Sequence, residues 1–144
     1  VDFHTALNQV IAELTPQPWE HTTPDATTLR VIPAGLREAR GYAEIMVRIT
    51  ASHAQTAEIG ITTTYMVSLL HALDTRTVWE HATALDDELT VAPVEGGMVL
   101  TVTDVRYDSA VRDVTVSMHI PEAQRMPLAS ALRRARDVAR GWES

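Results

Sequence analysis

Between Tyr42 and Thr50 the chain alternates: Ala43, Ile45, Val47 and Ile49 point one way, and Glu44, Met46, Arg48 and Thr50 the other. Period two is the mark of a strand with one face buried, as in an antiparallel sheet. The same alternation sets Val114, Val116, Met118 and Ile120 against Thr115, Ser117 and His119, and ends at Pro121. Further strands are predicted at Thr27–Pro33, Ala57–Ile61, Glu88–Pro93 and Met98–Tyr107. The last two flank Glu95-Gly96-Gly97, a hairpin turn where glycine enters positive φ at little cost. Trp19–Thr23 and Thr77–His81 are short enough to be minor strands. At Thr63 the period changes, and Met66, Leu69, Leu70 and Leu73 fall at the 0, 3, 4, 7 spacing of one helical face. A first helix is predicted over Phe3–Leu14, capped by Asp2 and ended by Thr15-Pro16-Gln17-Pro18. A last helix runs from Leu128 with Leu132, Ala135, Ala139 and Trp142 on one face.

These elements repeat. A shift of 59 residues carries Leu7, Val10, Ile11 and Leu14 onto Met66, Leu69, Leu70 and Leu73, and a second shift carries Leu69, Leu70 and Leu73 onto Leu128, Ala129 and Leu132. Leu29-Arg30-Val31-Ile32-Pro33 matches Leu89-Thr90-Val91-Ala92-Pro93 at a shift of 60. The pattern reads as two helix-plus-strands units and the opening helix of a third. The expected class is α+β: an antiparallel sheet with two helices on one face, duplicated over residues 1–61 and 62–120 of a domain ending at 127. A C-terminal helix then occupies 128–144.

A chain of 144 residues, 45% hydrophobic, suffices for one core. The net charge of -7 argues against general adhesion to nucleic acid, though it leaves a local basic patch open. All twelve cations are Arg, which reads first as codon bias. Cysteine is absent, so disulfide, thiolate–zinc and thiol chemistry are excluded. No apolar run approaches the roughly 20 residues of a membrane span, and a cytoplasmic location is the expectation. Neither a phosphate loop, a nucleophile elbow nor a His-Glu-x-x-His pair occurs. No cofactor and no enzymatic activity are therefore expected. His71, His81 and Asp86-Asp87-Glu88 read as a solvated loop with two surface histidines, or as a metal site if they converge. Asp104, Arg106 and Asp108 read as a charged row on a strand. Arg133, Arg136 and Arg140 line one flank of the last helix, with Arg134 and Asp137 as an i, i+3 pair. Two readings stand for that stripe, a solvated flank and a surface for phosphate or a second subunit. Trp19, Trp79 and Trp142 read as core or interface anchors.

The order of elements, with AEIGITTTYMVSLLHALD and DELTVAPVEGGMVLTV through DVTVSMHIPEAQRMP, resembles one domain of the bacterial DNA sliding clamp, the polymerase processivity factor, over Phe3 to about Pro127. That family's domains duplicate a β-α-β-β-β motif. The resemblance implies a homo-oligomeric ring of six copies, helices inward, around duplex DNA held without regard to sequence. Its partners would be DNA polymerase or repair proteins. Asn8 and Gln9 of the first helix, His71 and Arg76 of the second, and Arg133, Arg134, Arg136 and Arg140 of the last would face the DNA. The alternative is a non-enzymatic protein-binding or chaperone-like α+β module with no DNA role.

Overall fold

The computed structural model describes residues 2–4, 6, 18–37, 42–52, 55–105 and 113–142. In chain order it contains β1 (Trp19–Thr22), β2 (Thr28–Arg37), β3 (Tyr42–Thr50), β4 (Thr56–Thr62), α1 (Thr63–Thr75), β5 (Trp79–Ala82), β6 (Glu88–Val94), β7 (Gly97–Asp104), β8 (Val114–Pro121) and α2 (Glu122–Trp142). Phe3, His4 and Ala6 are helical, and the rest of the predicted first helix, with Asn8 and Gln9, lies outside the described residues.

The protein is α+β, but its strands form two sheets where the sequence suggested one. β1 to β4 pair antiparallel in chain order, and β5 to β8 do the same. The sheets share a register at an offset of 60: Trp19 lies opposite Val31 and Trp79 opposite Val91, while His21 faces Leu29 and His81 faces Leu89. Their first turns match too. Ala26 N–H donates to the Thr23 carbonyl at 2.9 Å, and Asp86 N–H to that of Thr83 at 3.0 Å. Ala26 and Asp86 both occupy the left-handed region, at φ 67° and 66°.

Each sheet precedes its helix, so the structural order is β-β-β-β-α twice. A period alone does not set where a unit begins, because strands and helices in alternation can be cut at either junction. The short strands β1 and β5 carry little alternation of their own, so the sequence pattern marks the helices more strongly than the sheet edges.

Leu29, Val31, Ile45, Val47, Ile49, Ile59 and Ile61 of the first sheet and Leu89, Val91, Met98, Leu100, Val102, Val116, Met118 and Ile120 of the second, alternate residues along each strand, are buried. Helix α1 closes over them with Met66, Leu69, Leu70 and Leu73, and α2 with Leu128, Ala129, Leu132, Ala135 and Ala139. The helices pack on each other, α2 lies on β2 and β3, and β4 meets β7 and β8. At the centre a cavity of about 10 Å³, lined only by apolar side chains such as Val31, Val47, Leu73 and Leu132, has the size of one water and no polar group to hold it.

Helix α2 begins at Glu122, six residues before the expected start, and runs through Pro127. Proline removes one helical hydrogen bond and crowds the carbonyl four residues back, which is why the sequence suggested a loop here. Tertiary bonds hold the weakened turns. Glu122 N–H donates to the Gly96 carbonyl at 2.9 Å. Arg125 donates through Nη1 to the Leu73 carbonyl at 2.7 Å and through Nε to Glu122 Oε1 at 2.9 Å. That guanidinium also satisfies a terminal carbonyl of α1, which has no helical partner of its own.

Candidate nucleic-acid interface

At the edge of the second sheet, strand β5 turns Trp79 and His81 to the core side, as their pairing with Val91 and Leu89 requires. Among the described residues no further strand covers this edge, and both are half-buried. Helix α1 supplies a third ring. Tyr65 lies 4.3 Å from His81 between centroids, and His81 lies 5.5 Å from Trp79 at an interplanar angle of 26°. Trp79 Nε1–H donates to Ser68 Oγ at 2.9 Å, and Ser68 Oγ–H donates to the Tyr65 carbonyl at 3.0 Å, so helix and strand fix each other. Burial lowers the His81 pKa below its ordinary value and favours the neutral ring. Tyr65, 47% exposed, is the open end of this row.

Beside the row, Glu80, His81, Ala82, Glu88, Leu89 and Thr90 line an open groove of about 360 Å³. The first sheet carries the corresponding pair. Trp19 and His21 are stacked at 6.3 Å and 20°, and His21 Nε2 is buried with no hydrogen-bond partner among the described residues.

The outward faces are polar. Thr22 and Thr28 share a hydrogen bond at 3.0 Å and Thr50 and Thr56 one at 3.1 Å, and their registers place all four in one row across the first sheet. On the second sheet Thr101 pairs with Ser117 at 2.8 Å and Thr103 with Thr115 at 3.1 Å. Such hydroxyl pairs across strands stabilise a sheet without adding charge.

The residues expected to face DNA are dispersed. Arg76 caps α1 in the left-handed conformation and donates through Nη2 to the carbonyls of Val94 and Gly97, at 3.1 and 3.3 Å. With Glu122 Oε2 at 3.7 Å from its Nη1, it ties the β6–β7 hairpin to α2. Arg133 lies 3.8 Å from Asp74 of α1, and Arg136 lies 3.6 Å from Asp137. Arg134 and Arg140 are exposed and make no ion pair among the described residues, and His71 is exposed on α1. The metal alternative does not assemble: His81 is in the ring row, Asp87 accepts the Val105 N–H at 2.8 Å, and no three metal-ligating side chains converge among the described residues. Asp104 accepts the Glu58 N–H at 3.1 Å and joins the two sheets, while Arg106 and Asp108 lie outside the described residues. None of the described helices is long and apolar enough to cross a membrane.

The sequence marks His81 only within a possible metal cluster and Trp79 only as an anchor, and does not join them with Tyr65. The available signal was the tripeptide Trp-Glu-His, which recurs at Trp19 and Trp79 with the 60-residue offset of the repeat.

No family model matches this sequence, and neither does any curated protein. Solved structures do resemble it. WHY3 from Arabidopsis thaliana superposes with a TM-score of 0.64 at 14% identity, over 88% of this chain and 89% of that one. The plant transcriptional regulator PBF-2 gives 0.63 at 14% identity, over 88% and 83%. MRP1/MRP2 of Trypanosoma bruciei gives 0.65 at 15% identity, over 100% and 99%. At these identities what is shared is the fold. These matches overturn the sliding-clamp expectation, and with it the six-copy ring around duplex DNA and the polymerase or repair clients. The physical reason is the order of the described elements: four strands pair in chain order and a helix follows, twice, which is not the β-α-β-β-β unit of the clamp.

Proposed function

We propose that this chain is a non-enzymatic protein that binds single-stranded nucleic acid, with the Tyr65–His81–Trp79 row as its main base-stacking station and Trp19–His21 as the corresponding station on the first sheet. The ring row beside an open groove carries the reading. A nucleobase is a flat apolar surface with a polar rim. It gains by stacking on an exposed aromatic ring and by hydrogen bonds at its edge, and only an unpaired strand presents both. Tyr65 offers the ring, and His81, against which it lies, also lines the groove. The shared fold supports the same direction, since one of the similar structures is a transcriptional regulator and regulation of transcription acts on nucleic acid or on what reads it.

The charge agrees with stacking as the main source of affinity. At -7 the chain repels a polyanion overall, so affinity comes from base contact more than from counterion release. The homo-oligomer expected from the sequence remains part of this proposal on other grounds: α1 exposes the apolar Val67, at 60%, which a second copy would cover.

Tyr65→Ala tests the station, because Tyr65 is exposed and its removal leaves the core intact. A stacked base contributes about 1–3 kcal/mol, so the dissociation constant for a short oligonucleotide should rise roughly 5- to 150-fold, with quenching of Trp fluorescence by the oligonucleotide lost in parallel. Unchanged affinity and quenching in Tyr65→Ala would remove the station from the site.

A further inference from the structure

Four residues, one from each strand, form a line across the outward face of the first sheet: Glu20, Arg30, Arg48 and Glu58. The registers are Glu20 opposite Arg30, Arg30 opposite Arg48, and Arg48 opposite Glu58. Two arginines thus face each other on the central strands, an arrangement that is destabilising when like charges lie directly opposite. Each is drawn outward by a carboxylate. Arg30 Nε lies 2.6 Å from Glu20 Oε1, and Arg48 Nε lies 2.5 Å from Glu58 Oε2. In both pairs the approach is at Nε; Arg48 Nε–H donates to its carboxylate, whereas Arg30 Nε is buried and makes no hydrogen bond among the described residues. Both arginines are about one-third exposed, at 36% and 35%. Thr28 and Thr50, in the adjacent register row, put hydroxyls next to them.

The second sheet is an internal control. Its corresponding row, taken through the registers, reads Glu80, Thr90, Thr101 and Ser117. The acid on the first edge strand is retained, and both arginines and the second acid are replaced by hydroxyls. A four-stranded sheet of this shape therefore forms without the arginine pair. A charge arrangement that the fold does not require and that sheet pairing disfavours calls for a ligand of opposite sign.

We propose that Arg30 and Arg48 form a seat for the phosphodiester backbone of a bound strand on the outward face of the first sheet, with Glu20 and Glu58 holding the guanidiniums until phosphate replaces them. Guanidinium donors match phosphate oxygens in geometry and charge, and the two flanking hydroxyls supply neutral donors. The seat rests on the single-strand reading above and adds what that reading lacks, a place for the backbone beside the edge where Trp19 and His21 take bases.

The experiment is a salt titration of oligonucleotide binding by fluorescence anisotropy, using wild type, Arg30→Gln/Arg48→Gln, Glu20→Gln/Glu58→Gln and Thr90→Gln/Thr101→Gln, with melting curves confirming that each is folded. Each phosphate contact on a single strand contributes about 0.7 to the slope of log K against log salt. Losing both arginines should lower that slope by roughly 1.4. Neutralising the two glutamates should tighten binding at low salt, and changing the threonines of the second sheet should leave the slope alone. The glutamate variant keeps both arginines, so it reads the seat with the opposite sign should the arginine variant fail to fold. Inorganic phosphate at constant ionic strength separates two sources of the same chemistry. A seat for a strand leaves oligonucleotide binding at its chloride-matched value, while a seat for the free ion is blocked by it and would reassign the site. An unchanged slope in the arginine variant, with binding retained, overturns the seat and spares the single-strand reading. Absence of any single-strand binding by wild type overturns both.

Discussion

Replacing Ala26 with glycine should make this protein more stable. Ala26 closes the β1–β2 turn at φ 67°, where its Cβ crowds the backbone at a cost of about 1–2 kcal/mol. Glycine removes that cost and adds unfolded-state entropy of roughly 0.5–1 kcal/mol. The turn is held by Thr23 N–H to the Thr27 carbonyl at 2.9 Å, by Ala26 N–H to the Thr23 carbonyl, and by Thr27 N–H to Asp25 Oδ1 at 3.2 Å. None of these bonds uses the Ala26 side chain, so the substitution leaves them in place. The net expectation is a gain of about 0.5–1 kcal/mol, or a rise of roughly 2–3 °C in melting temperature for a chain of this size. In urea the midpoint should move up with the slope unchanged. The second repeat supplies the comparison. Asp86 has nearly the same φ, 66°, but aspartate tolerates this region better than alanine, so Asp86→Gly should gain less than Ala26→Gly. A loss of stability in Ala26→Gly, of the size glycine causes at an ordinary position, would refute the reasoning.

At the β6–β7 hairpin the opposite change is expected: a Cβ on Gly97 would run into the Ile120 backbone carbonyl, so Gly97→Ala should lose about 1–3 kcal/mol or more in urea unfolding. For His81 the folded pKa is lowered by burial, so the folded protein binds this proton less readily than the unfolded chain. Its contribution to stability is complete above about pH 6.5 and is lost as pH falls through the lowered value. Measured at neutral pH and about one unit below 6.5, the difference in urea midpoint should shrink in His81→Phe, and an equal difference in both proteins would exclude His81 as its source.

Most elements were legible in the sequence because alternation and helical spacing are strong where a face is buried. The strand predicted at Tyr42–Thr50 has those bounds in the structure, and the helix at Thr63 buries the four apolar residues its spacing selected. Two things were not legible. Pairing partners are not encoded in alternation, so eight strands could be read as one sheet. The beginning of α2 was hidden by Pro127, whose local cost is offset by Arg125 and Gly96, residues that only the tertiary structure brings to it. The site was obscured in a similar way. Arginines near the last helix drew attention as a stripe, but Arg133 and Arg136 have carboxylates beside them. From the sequence His81 groups with His71 and Asp86-Asp87-Glu88, and Trp79 reads as an anchor; only β5 and α1 bring Tyr65, His81 and Trp79 into one row. Arg30 and Arg48 belong to unremarkable strands, and only the register places them opposite each other.

The most direct measurement is competition between a labelled single-stranded oligonucleotide and two unlabelled competitors, the same strand and its duplex, at one fixed salt concentration. Stacking on Tyr65 requires an unpaired base, so the strand should displace the label and the duplex should compete far more weakly. Equal competition by the duplex, or no binding of the labelled strand, would contradict the account.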